Sequence, residues 1–83
     1  MKIQFKTGGQ LVEYLPRGSS GNMAELEVAD GTTPADVMRQ LNLPTEENYL
    51  ISLNGEVVVI SERNTRKLAE NDRLAIMPPL KGG

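Results

Sequence analysis

Residues 49–61 read YLISLNGEVVVIS, and this stretch decides the fold. Asn54-Gly55 separates two runs rich in β-branched and aliphatic residues. Asn-Gly is the pair that most readily takes up the two successive left-handed conformations of a tight hairpin turn. With a two-residue loop, Leu53 pairs directly with Glu56 and the two point to the same face. Counting outward by twos then places Ile51, Leu53, Val58 and Ile60 on one face, and Leu50, Ser52, Val57 and Val59 on the other. The face that carries Ser52 is the less apolar, so it is assigned to the outside. Val57 and Val59 are therefore expected to be exposed.

Upstream of the hairpin lies the best-punctuated helix of the chain, "TTPADVMRQLNLP". Thr33 suits the N-cap, Pro34 the first helical position and Asp36 the third, where a carboxylate meets the positive end of the helix. Val37 and Leu41, four apart, face a core together with Met38 alongside. Asn42 tolerates the left-handed conformation that ends helices, and Pro44 prevents resumption. Earlier still, residues 2 to 6 and 24 to 28 alternate polar and apolar as half-buried strands, with Ile3, Phe5, Leu26 and Val28 inward. Leu11, Tyr14 and Leu15 recur at helical spacing before Pro16, and "RGSSGN" at 17 to 22 is a polar loop. Downstream, "ERNTRK" is a charged connection and Leu68 dips back into the core. Glu70-Asn71 turns into a last strand, "DRLAIM", with Leu74 and Ile76 inward and Ala75 and Met77 outward.

The whole comprises 83 residues, 39% of them hydrophobic, which is enough for one domain and no more. The expected division is a body over 1–77 and a flexible Gly-Gly tail over 78–83. A net charge of -2 with scattered basic residues argues against nucleic acid as a partner. No apolar run has the length of a membrane span, and "MKIQFKTGG" lacks the apolar segment of a signal peptide, so a cytoplasmic location is expected. The chain has no Cys and no His. That removes thiolate metal sites, a cysteine nucleophile and the commonest general base. No Asp/Glu spacing resembles a calcium loop, and "TGG" at 7 to 9 is a weak phosphate-loop signal without a following Lys. No metal and no resident cofactor are expected.

Strand, strand, helix, hairpin and final strand is the order of the ubiquitin-like β-grasp fold, an α+β architecture with a mixed sheet of about five strands wrapped on one main helix. "LNGEVV", the acidic turn "ENDRLAI" and the closing "PPLKGG" resemble the MoaD/ThiS family of sulfur carriers. The amino-terminal "MKIQFK" and "LVEYLP" extend that resemblance over nearly the whole chain. The Pro-Pro-x-x-Gly-Gly ending is similar to that of molybdopterin synthase small subunits. Asn71 stands where such proteins usually carry Gly, and Asn is the next best residue for a left-handed turn position.

The resemblance implies that the chain is a co-substrate rather than a self-contained enzyme. A ubiquitin-activating-like partner adenylates the Gly83 carboxylate with ATP, a sulfur donor converts it to a thiocarboxylate, and the sulfur goes to molybdopterin. Thiamine thiazole synthesis, another sulfur-containing product and protein modification are the alternatives. Diglycine suits a narrow catalytic channel because it lacks β-carbons, and Pro78 and Pro79 hold the base of the tail extended. From Pro78 to Gly83 an extended chain reaches roughly 20 Å. Val57, Val59 and Met77 are expected to form an outward apolar patch, continued by Pro78, Pro79, Leu80, Lys81 and Gly82. That surface would dock first on the adenylating enzyme and then on the large subunit of molybdopterin synthase. Single exposed apolar residues on a β-rich strand are also ordinary, and Lys81 faces solvent by default.

Overall fold

The computed structural model describes residues 1–44 and 49–78. Five strands form one sheet: β1 (Lys2–Thr7), β2 (Met23–Glu27), β3 (Leu50–Leu53), β4 (Glu56–Val58) and β5 (Arg73–Met77). Their spatial order is β2-β1-β5-β3-β4. β1 is antiparallel to β2 and parallel to β5, while β3 is antiparallel to both β4 and β5. The central pair therefore joins the first and last strands of the chain. Among the described residues one α-helix, α1 (Pro34–Gln40), lies between β2 and β3 in sequence. This is the mixed sheet with one main helix expected of a β-grasp fold.

Local chemistry accounts for α1. The Thr33 hydroxyl accepts from the Asp36 N–H while an Asp36 carboxylate oxygen accepts from the Thr33 N–H, a reciprocal capping box with Pro34 at the first position. At the other end Asn42 is left-handed (φ 61°), Asn42 N–H donates to the Arg39 carbonyl and Leu43 N–H to the Met38 carbonyl. These two bonds are a Schellman closure, accompanied by burial of Leu43 and Met38 in one cluster. Val37 and Met38 are fully buried, and Leu41 packs half-buried at the margin of the core.

The core takes the inward residues expected of the strands: Ile3 and Phe5, Leu26 and Val28, Ile51, Leu53 and Val58, Leu74 and Ile76, with Leu68. Leu11, Leu43 and Tyr49 join it from the connections. β1 runs one residue further than its alternation suggested, and Thr7 is buried. The short helical stretch before Pro16 is a 3-10 helix, Gly9–Tyr14, and Leu11 alone of its residues is buried.

One assignment is corrected. Ile60 does not share the inward face with Ile51, Leu53 and Val58; it is 52% exposed. Alternation holds only while the backbone stays in the ladder, and β4 ends at Val58. Val59 is extended, but the chain then turns in a 3-10 segment, Ile60–Glu62. Its exit is drawn to the start of α1, where the Arg63 carbonyl accepts from Ala35 N–H at 2.9 Å. That donor is one of the N–H groups a helix cannot satisfy internally. The Thr32 carbonyl accepts from Leu68 N–H at 2.8 Å, so the connection is tied twice to the amino-terminal end of the helix.

Candidate functional site

The hairpin forms in the register its sequence dictates, with Leu53 opposite Glu56, Ser52 opposite Val57 and Ile51 opposite Val58. Asn54 and Gly55 are both left-handed, at φ 53° and 88°. β3 also pairs with β5, placing Leu50 opposite Met77 and Ser52 opposite Ala75. Paired residues share a face. On the outer surface Ala75, Ser52 and Val57 thus form one row, and Met77 and Leu50 form the next toward the end of β5.

This surface is apolar and open. Val57 is 65% exposed, Leu50 57% and Val59 51%, while Met77, Ala75 and Ser52 on the same surface are half-buried. Val57 and Met77 lie on the outer face, as the alternation required, and Val59 is exposed beyond the ladder, where alternation no longer applies. Leu50 and Ala75 belong with them although only the hairpin partners and Met77 were singled out from the sequence. The missing signal was the β3–β5 register, which no local pattern carries. Val59 lies one residue past β4, outside the ladder.

β5 ends at Met77 and Pro78 follows directly, half-buried. The carboxyl-terminal segment therefore departs from the rim of the apolar surface. Pro79, Leu80, Lys81, Gly82 and Gly83 lie outside the described residues. Beneath the exit, the buried Thr7 hydroxyl donates to the Ile76 carbonyl at 2.6 Å. A β-carbon at Gly8 would stand 3.2 Å from Met77 Sδ, and one at Gly9 would stand 3.2 Å from Pro78 Cγ. The "TGG" stretch is thus occupied by the chain's own last strand.

Among the described residues no group of three or more His, Cys, Asp or Glu side chains is arranged to hold a metal ion. Among the described residues one carboxyl group departs from its ordinary range: Asp36 is held below it by the Thr33 N–H bond first and then by the Arg39 guanidinium. Both partners belong to the helix cap, so this shift serves the fold. No helix of the described residues is long and apolar enough to cross a membrane. The distinguishing features of the described residues are an apolar sheet surface and a last strand that runs into Pro78 at its edge.

The ThiS family pattern matches residues 6–83, nearly the entire chain. Comparison with curated protein sequences gives no match. Among solved structures, SAMP1 from Haloferax volcanii superposes with a TM-score of 0.67 at 21% identity, covering 100% of both chains. Urm1 from Trypanosoma brucei gives 0.66 at 12% identity, covering 99% of this chain and 95% of that one. A chain of the complex of subunits 1 and 2 of molybdopterin-converting factor from Helicobacter pylori gives 0.59 at 15% identity, covering 100% of both. At these identities the structural likeness speaks for the β-grasp fold, and the sequence pattern speaks for the family. The chain belongs to the ThiS family.

Proposed function

We propose that this protein is a sulfur carrier whose Gly83 carboxylate is adenylated and then converted to a thiocarboxylate that supplies sulfur for molybdopterin. The observation that carries the reading is the family match running through residue 83, on a segment that leaves the body beside an exposed apolar surface. A free carboxylate is a poor electrophile because its leaving group would be oxide. Attack of a Gly83 oxygen on the α-phosphorus of ATP expels pyrophosphate and makes an acyl adenylate. Hydrosulfide, or a donor equivalent to it, then adds to the acyl carbon and AMP departs with the C–O bond, leaving the thiocarboxylate. ATP is bound by the activating partner; this chain supplies the acceptor carboxylate.

The surface formed by Leu50, Val57, Val59 and Met77 is the proposed docking face for the adenylating enzyme and, in turn, for the large subunit of the synthase. Fully covering one such side chain contributes on the order of 1.5–3 kcal/mol before the costs of association. A single shared face makes the two partners mutually exclusive. The assignment to molybdopterin is supported by the Pro78-Pro79 ending and by the fold likeness to the Helicobacter pylori complex of subunits 1 and 2. The likeness to SAMP1 supports a second reading, in which the activated glycine forms an amide with a lysine of another protein.

Intact-mass measurement of the chain isolated from its native cell tests both. The carrier reading requires Gly83 at the terminus, as synthesised or after trimming, and replacement of one oxygen by sulfur after incubation with the adenylating enzyme, ATP and a sulfide source. A covalent adduct with a second protein supports modification instead. Full activity after deletion of Gly82-Gly83 would overturn both.

A further inference from the structure

β1 and β5 are parallel, so their carboxyl-terminal ends lie side by side at one end of the sheet. The last registered pair is Thr7 with Ile76, joined also by the buried Thr7 hydroxyl at 2.6 Å. One step on, Gly8 meets Met77, and the next step brings Gly9 to Pro78, each leaving room for a β-carbon only at 3.2 Å from the opposing side chain. Gly8 is extended (φ -157°), a conformation any residue adopts, so its backbone does not call for glycine. Gly9 is left-handed, but Asn42, Asn54 and Asn71 fill that conformation elsewhere in this chain. Gly18, Gly21, Gly31 and Gly55 have nothing within 4 Å of a built β-carbon. Gly8 and Gly9 differ from them in having the root of the carboxyl-terminal segment laid against their missing side chains.

We propose that Thr7-Gly8-Gly9 is a seat that fixes the point and direction from which the carboxyl-terminal segment leaves the body, making Gly8 and Gly9 positioning residues for delivery of Gly83. The inference rests on the carrier reading and adds to it the part of the body that aims the terminus. The five residues beyond Pro78 span about 17 Å when extended, so a 20° swing at the root displaces the tip by about 6 Å. Reacting atoms must meet within a few ångströms, and misplacement by about 1 Å is enough to slow a reaction a hundredfold. Docking of the body on a partner therefore leaves a second requirement, and the seat meets it before binding occurs.

The test compares Gly9→Asn with Gly21→Asn. Both put the same residue at a left-handed position (φ 56° and 60°), but only the first presses on Pro78. In the free protein, nuclear Overhauser contacts between residue 9 and the Pro78 ring are expected in wild type and Gly21→Asn and are displaced in Gly9→Asn. With a ubiquitin-activating-like adenylating enzyme and ATP, Gly9→Asn is expected to lower kcat for pyrophosphate release at least tenfold, with KM for the carrier within twofold of Gly21→Asn. Equal kcat in the two variants, or absence of the Gly9–Pro78 contact in wild type, overturns the seat. If wild type itself is never adenylated, the carrier reading fails, while the Overhauser contact still decides whether the seat exists.

Discussion

The buried hydroxyl of Thr7 donates a 2.6 Å hydrogen bond to the carbonyl of Ile76, a residue 69 positions away. It ties the first strand to the last at the point where the carboxyl-terminal segment begins. Thr7→Val keeps the shape and removes the donor, leaving the Ile76 carbonyl with one partner fewer in a buried setting. Such a loss typically costs about 1–3 kcal/mol. The midpoint of urea unfolding is expected to fall accordingly; a Val variant as stable as wild type would show that the ladder alone holds the two ends together.

Asn54 does more than turn the hairpin. Its side-chain amide donates to Asp72 at 3.0 Å, its side-chain oxygen accepts from Arg73 N–H at 2.8 Å, and its own N–H donates to the Arg73 carbonyl at 2.8 Å. Gly also accepts the left-handed conformation, so Asn54→Gly isolates the two side-chain bonds from the turn geometry. Loss of about 0.5–1.5 kcal/mol for each net hydrogen bond is the expectation, reduced by the exposure of the site. Amide exchange at Arg73 should quicken in the variant. Unchanged exchange there would assign Asn54 to the turn alone.

The contrast between these two residues explains what the sequence made legible. The turn conformation of Asn54-Gly55 and the capping box of Thr33-Pro34-x-Asp36 depend on neighbours a few positions away, so spacing alone identifies them, whereas the bonds from Asn54 to Asp72 and Arg73 carry no local signal. The large apolar residues on the inward faces of the strands followed from alternation for the same reason. Thr7 could not be read that way, because the group that makes its burial favourable belongs to β5. Gly8 and Gly9 offered only a weak phosphate-loop signal until the parallel β1–β5 pairing placed Met77 and Pro78 against them. Ile60 failed for the opposite reason: alternation was carried past the residue where the chain leaves the ladder to satisfy Ala35 at the start of α1. Leu50 was assigned to the correct face, yet its place in the docking surface needed Met77 opposite it.

The capping box gives a pH dependence whose sign follows from Asp36. Its carboxyl is held below the ordinary range, first by Thr33 N–H and then by Arg39, so the ionised form is favoured in the folded state. The stability it contributes is present above the ordinary carboxylate value and is lost as the pH falls through the depressed one. Asp36→Asn is therefore expected to be less stable than wild type at neutral pH, with the gap narrowing on acidification. Added salt should remove only the Arg39 part, since that pair is solvent-exposed. Thr33→Ala removes the hydroxyl acceptor and is expected to cost about 1 kcal/mol. A gap between wild type and Asp36→Asn that stays constant with pH in thermal unfolding would remove the carboxylate from this account.

The docking face is best tested at Val57. A substitution at Met77, although that residue lies on the outer face, would not isolate the surface. Met77 is half-buried with its sulfur against Gly8, so an Asp there disturbs the root of the segment along with the surface. Val57 is 65% exposed in the short strand β4 at the sheet edge, opposite Ser52, and its replacement removes little from the core. Loss of β propensity limits the cost of Val57→Asp to about 1 kcal/mol. Binding should suffer more, because a covered Val contributes about 1.5–3 kcal/mol and a carboxylate in its place must be desolvated. At least tenfold weaker association with the adenylating enzyme is expected by titration calorimetry. Met23→Asp supplies the matched control, since Met23 is also exposed but lies on β2 at the opposite edge of the sheet. Equal affinity for the two variants would move the docking face off β3, β4 and β5, whereas a selective loss at Val57 places the partner over the end of the sheet from which Pro78 departs.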